Sequence, residues 1–267
     1  DYIMREKYIM EPNKIEIDSS VLDRLYEFYN VRIDDAHFLF DEVMIPVEDS
    51  EISTLNFYNS QYNPPYYCKA PGSLALTFIR KTVVDKLKSI NEKLNEFNME
   101  LLIFDGFRPQ SVQSFFSDVW VPEQLAKKYP QKSSDWIEKE SSRYWASGAK
   151  DINTLMKRIP PHSTGGAVDL TIRFKDSKLP LEMGTIFDDI SEKSHSDYFE
   201  RNLCSTSYTE IEALNNRRLL YNLMTEAGFV NHPLEWWHFS YGDQLWGMIS
   251  GNYAFYGYAG YQLGEFL

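Results

Sequence analysis

Between residues 73 and 97 the apolar positions Leu76, Ile79, Val83, Leu87, Ile90 and Leu94 recur every three or four residues. That period predicts an amphipathic helix over 73–97 whose stripe faces a core. "MELLIF" then reads as a strand, "DGFRP" as a sharp turn and "QSVQSFFSDVW" as a second helix with Pro109 near its first turn, so Arg108 stands where a strand ends. A loop-rich region around 129–134 follows. Further on, a turn at Gly165 and Gly166 leads into the strand "AVDLTI", where alternation puts Ala167, Asp169 and Thr171 on one face and Val168, Leu170 and Ile172 on the other. Residues 211–227 predict a helix carrying Leu214, Leu220, Leu223, Met224 and Ala227, stopped by Gly228. "EWWHFSYG" reads as a turn into a strand, and the tail "NYAFYGYAGYQLGEF" is too rich in Gly and Tyr for a long helix. The first 50 residues are polar and weakly patterned, with one helix-like stretch, "SSVLDRLYEFYN", capped by Ser19 or Ser20. Without repeats or linkers, the expected organisation is an N-terminal extension, 1–50, wrapped on a single domain, 51–267.

Composition narrows the classes. At 267 residues, 43% hydrophobic and 15% aromatic, the chain can bury a substantial core and needs no metal merely to hold a small fold. A formal charge of -12 argues against nucleic acid as a partner, because phosphate binding needs clustered Lys and Arg. The one basic run, around Arg217 and Arg218, reads as a solvated helix face. No apolar run reaches the ~20 residues of a membrane span, and no signal-peptide pattern is present. The start at Asp1, without an initiator Met, tilts the expectation toward a trimmed, exported or periplasmic form. Cys68 and Cys204 permit one disulfide without demanding it, lack a CxxC spacing, and are read as free thiols.

Candidate chemistry rests on few residues. A catalytic zinc takes three protein ligands, commonly His with His or a carboxylate, and keeps a fourth position open. His162, Asp169 and His238 would supply such a set if the Gly-containing turn folds His162 back toward Asp169. Alone, "HSTGGAVD" fits a structural His and a turn Asp better. "EWWH" changes the weighting: Glu235, three residues before His238, can serve as general base beside a ligand, though it could equally be a surface residue flanking two buried Trp. Arg108 could hold an oxyanion, or simply pair with Asp105. His37 and His232 are read as structural.

Taken together, "HSTGGAVD", "EWWH" and "DGFRP" resemble the zinc D-alanyl-D-alanine dipeptidases, whose pattern is SxHxxGxAxD, then ExxH, with DGYRP or DGFRP upstream. "EMGTIFDDISEKSH" matches a fourth family segment, in which His195 fits but takes no role. The resemblance, in order from about Thr54 to Tyr241, implies an α+β fold with a small antiparallel sheet carrying the metal between helices. It implies one Zn2+ on His162, Asp169 and His238, Glu235 as base, Arg108 at the transition state, and Asp188 binding the free amino group of a small D,D-dipeptide. Two positions depart: Pro160 stands where the family has Ser, and Glu51 about where a substrate-facing Tyr is expected. Two alternatives stay open, a D,D-carboxypeptidase or other peptidoglycan peptidase on the same site, and a zinc-containing binding domain without turnover. Oligomeric state is not indicated.

Overall fold

The computed structural model describes residues 6–8, 13–149, 151–204 and 206–265. Its elements in chain order are α1 (Ser19–Asp23), β1 (Met44–Pro46), β2 (Ser53–Thr54), β3 (Phe78–Arg80), α2 (Lys81–Asn95), β4 (Met99–Asp105), α3 (Gln110–Phe115), α4 (Val121–Lys128), α5 (Ser134–Tyr144), α6 (Ile152–Lys157), β5 (Ala167–Phe174), α7 (Tyr198–Arg201), α8 (Tyr208–Glu226), β6 (Val230–Asn231), β7 (His238–Ser240) and α9 (Gln244–Ser250). The class is α+β. Five strands form one sheet in the order β2-β4-β5-β7-β6, and β1 pairs with β3 in a second, two-stranded one. Neighbours from β4 through β6 are antiparallel, as expected, while the short edge strand β2 runs parallel to β4.

The apolar stripe of α2 does what its period requires. Val83, Leu87, Ile90 and Leu94 are buried in one cluster with Leu101, Ile103, Val168, Leu170 and Ile172 from the sheet and Leu220, Leu223 and Met224 from α8. The helix begins at Lys81, not at 73, because Phe78–Arg80 is extended against Met44–Pro46. Ile79 is thus buried from a strand, and Leu76 is left 43% exposed. No local pattern could announce a partner strand more than thirty residues upstream.

Other boundaries move for identifiable reasons. Asp18, not Ser19 or Ser20, caps α1 by accepting the Ser20 N–H at 2.8 Å. Helix α8 starts three residues before the expected 211 because Ser207 accepts the Glu210 N–H, a cap that fixes the first turn. After α3 the chain makes one wide turn at Phe116–Trp120 and continues helically to Lys128. Helices α5 and α6 were not foreseen. The basic run corrects the solvated-face reading: Arg217 is buried and donates to the carbonyls of Met183, His195 and Lys193 at 2.6–2.8 Å, while Arg218 is buried against Glu200. Cys68 and Cys204 are free.

The aromatic tail is structural. After α9, Ala254, Phe255, Tyr256, Tyr258 and Ala259 are buried, and the Ala259 N–H donates to the Ser163 carbonyl at 2.9 Å. The tail therefore braces the turn that carries His162. Arg80 ties the same turn from the other side. Fully buried, it donates to the Thr164 carbonyl at 2.7 Å, the Gly257 carbonyl at 3.2 Å and the Glu42 carbonyl, with its guanidinium 4.9 Å from the Tyr256 ring centre. One cation thus joins the extension, the His162 turn and the tail. Arg80→Met would leave the Thr164 and Gly257 carbonyls without donors, the Glu42 carbonyl keeping the Gln262 side chain at 3.1 Å, and urea unfolding is expected to show a loss of about 2 kcal/mol or more. A loss below about 1 kcal/mol would contradict this bracing role.

Candidate active site

Strand register builds the site. Asp105 pairs with Asp169 across β4 and β5, and Asp169 pairs with His238 across β5 and β7, so these three residues stand in a row. His162 enters from the short helical turn Pro161–Thr164, which Gly165 ends at φ 71, a left-handed conformation suited to glycine. Gly166 follows, and a Cβ there would meet the Tyr241 carbonyl oxygen and the Tyr256 ring. The two glycines therefore serve a reversal and a close approach. The Arg108 N–H donates to the His162 carbonyl at 3.3 Å, so the two turns hold each other.

His162, Asp169 and His238 are all buried, and one donor atom from each falls within 4.8 Å of the others. His162 Nε2 lies 3.1 Å from His238 Nδ1 and 3.2 Å from Asp169 Oδ2, and His238 Nδ1 lies 3.0 Å from Asp169 Oδ1. Donors around a tetrahedral ion at 2.0–2.1 Å stand about 3.3 Å apart, so the spacing suits a small cation. The outer ring nitrogens fit too. His162 Nδ1 is 2.8 Å from the Gly106 carbonyl oxygen, which can only accept, so Nδ1 carries a proton and Nε2 is the nitrogen left to face a cation. His238 Nε2 lies 3.2 Å from Ser240 Oγ, which leaves Nδ1 for the same centre. Burial opposes ionisation of Asp169, yet His162 and His238 hold its carboxyl well below the usual range.

The other residues picked from the sequence gather around this set. Glu235 is partly exposed, with Oε2 3.8 Å from His238 Nδ1. Its turn is anchored by Trp236 and Trp237, both buried, and by the Asn231 side chain donating to the Glu235 and His238 carbonyls at 3.0 Å. Arg108 forms the ion pair with Asp105 at 2.8 Å that the plainer reading named, and it also reaches Asp169 Oδ2 at 3.3 Å. It further donates to Gln113 and to the Tyr58 hydroxyl, each at 3.3 Å. Burial works against its charge, but Tyr58, Asp105, Asp169 and Asp188 hold its proton more tightly than usual. Asp188 meets the site through Tyr58, whose hydroxyl donates to Asp188 Oδ2 at 2.7 Å; Tyr66 donates to the same oxygen at 3.0 Å.

Tyr58, Tyr66 and Asp105 as a neighbour of Asp169 were missed. Tyr58 sits in "NFYN" and Tyr66 in "PPYY", but nothing local singles out two of 18 tyrosines. Glu51 is exposed at the end of a short turn, so the phenols at this site come from further along the chain. His37 stacks on Phe255, and the His232 ring centre lies 5.6 Å from that of His238.

The D-ala-D-ala dipeptidase family profile, Peptidase_M15, matches residues 69–255. The chain belongs to this family. It is 38% identical over 160 residues to a D-alanyl-D-alanine dipeptidase of Synechocystis, covering 57% of this chain and 63% of that one. Similarity to the D-alanyl-D-alanine dipeptidase of Enterococcus faecium is 32% over 146 residues, 54% of this chain and 63% of the relative, and to that of Escherichia coli 29% over 141 residues, 53% and 54%. The match thus spans less than two thirds of these relatives' length. Among solved structures, an LD-carboxypeptidase aligns over 71% of this chain and 70% of its own at 14% identity, with a TM-score of 0.37, too loose a likeness to carry an argument.

Burial raises the Asp188 carboxyl to about 7, with Asp169 and Glu235 adding to the rise and Arg108 and Tyr58 opposing it. Its ionised form is therefore less favourable in the fold than in the unfolded chain, a penalty absent below the ordinary carboxyl value and complete above about 7. In metal-free protein, Asp188→Asn, which still accepts both phenol hydrogens, is expected to gain stability relative to the wild type as pH rises from about 4 to 8. Urea unfolding across that range checks it, and a constant difference would contradict it.

Proposed function

We propose that the chain is a zinc-dependent peptidase that hydrolyses D-alanyl-D-alanine or a similar small D,D-dipeptide, with residues 51–267 as its peptidase domain. The observation that carries this reading is the convergence of a buried His/Asp/His donor set, a reachable carboxylate and a fixed guanidinium on one place. Holding a metal requires only the first of these. One zinc per chain would rest on His162, Asp169 and His238, supplying Lewis acidity toward a water and toward the scissile carbonyl oxygen.

The residues then divide the work. Glu235, less buried than the ligands beside it, takes a proton from the attacking water and returns it to the leaving amine. Arg108 stabilises the oxygen that becomes anionic. Four of its five N–H donors are engaged by Asp105, Gln113, Tyr58 and Asp169 among the described residues, which leaves one on Nη1 for that oxygen. Asp188, when ionised, receives the ammonium of the dipeptide. A partly buried carboxylate held by two tyrosines supports a short substrate with a free amino terminus over a D,D-carboxypeptidase substrate, which must continue past that point.

D-alanine release from D-alanyl-D-alanine, N-acetylated dipeptide and a pentapeptide stem tests the substrate class. The free dipeptide is expected to be turned over best, and turnover of the pentapeptide alone would overturn the reading. Glu235→Gln should retain one zinc per chain while losing about a thousandfold or more in kcat, within the span of general acid–base catalysis. Retained activity would remove Glu235 from the mechanism.

A further inference from the structure

Asp188 lies on a loop in the left-handed region, at φ 61, where a residue with a side chain is strained, so backbone preference does not aim its carboxylate. Side-chain bonds do. The Tyr58 and Tyr66 hydroxyls both donate to Oδ2, at 2.7 and 3.0 Å, and among the described residues none donates to Oδ1. Neither phenol can swing away, because Tyr58 packs on Phe116 and Trp145 with ring centres 5.2 and 5.9 Å away, and Tyr66 packs on Phe116 and Trp120 at 4.4 and 4.7 Å. The Tyr58 oxygen also accepts from Arg108 Nη2 at 3.3 Å, and the guanidinium lies 4.8 Å from its ring centre.

We infer that Tyr58 is a positioning residue that couples Asp188 to Arg108 and, with Tyr66, sets the preference for substrates with a free amino terminus. The inference rests on the dipeptidase reading above. Pinning one carboxylate oxygen leaves the other directed at an ammonium. The same hydroxyl fixes the guanidinium that faces the carbonyl, so the two ends of a short substrate are gauged against one rigid group. Tyr66 lacks the second link, so its removal loosens Asp188 alone.

The test is calorimetric binding of D-alanyl-D-alanine and of its N-acetyl derivative to zinc-loaded Glu235→Gln protein, alone and combined with Tyr58→Phe or Tyr66→Phe. Zinc content serves as the measure of an intact site. Tyr58→Phe is expected to lower the free-over-acetylated preference tenfold or more, chiefly through weaker binding of the free dipeptide, and Tyr66→Phe to act in the same direction by less. In otherwise unaltered enzyme, Tyr58→Phe should raise KM for the free dipeptide by a larger factor than it lowers kcat. Equal weakening of both ligands, or an unchanged preference in both variants, would overturn the inference while leaving the dipeptidase reading in place. Failure of the parent protein to bind the free dipeptide would remove that reading, and the inference with it.

Discussion

Cross-strand pairing of Asp169 with His238 is the constraint on which the rest of the site depends. Side chains alternate along a strand, so a slip of one residue would send His238 into the core and bring Phe239 to the site. Hydrophobic burial forbids that slip. Phe239 and its cross-strand partner Val168 are both fully buried, as are Leu170 and Ile172, and this apolar face admits no imidazole. The same register sets Asp105 beside Asp169 on the other side. Packing on one face of β5 thereby fixes the chemistry of the other.

That arrangement concentrates charge where water is scarce. Asp105 and Asp169 crowd around one guanidinium, Arg108, and two imidazoles, and Asp188 is linked to the same guanidinium through Tyr58. Like charges set directly opposite across a sheet are unfavourable, and Arg108 answers this by bridging Asp105 and Asp169. The carboxylates here outnumber the one permanent cation, and a divalent ion at the His/Asp/His set would offset that excess. Arg80 and the aromatic tail then hold the His162 turn against this crowded centre.

Much of the site was legible because its residues fall in short ordered segments. Strand alternation placed Asp169 with Ala167 and Thr171, and the motif spacing named His162, His238, Glu235, Arg108 and Asp188, which the fold brings to one place. The fold was less legible wherever a distant partner decides local structure. Residues 78–80 leave the helical period to pair with Met44–Pro46, and Arg217 and Arg218 look like a solvated run but are drawn inward by carbonyls and a carboxylate remote in sequence. Burial of both faces of β5 also blunts alternation as a guide to inside and outside. Tyr58 and Tyr66 escaped for a related reason: their importance lies in a shared contact with Asp188, more than a hundred residues away.

The central claim is that His162, Asp169 and His238 form a zinc site. X-ray diffraction from zinc-loaded crystals, recorded on both sides of the zinc absorption edge, tests it most directly. The account predicts one anomalous peak per chain, about 2.0–2.2 Å from His162 Nε2, His238 Nδ1 and an Asp169 carboxylate oxygen, with Glu235 outside the bonded set. A peak elsewhere, or one bonded to Glu235 in place of Asp169, would contradict it.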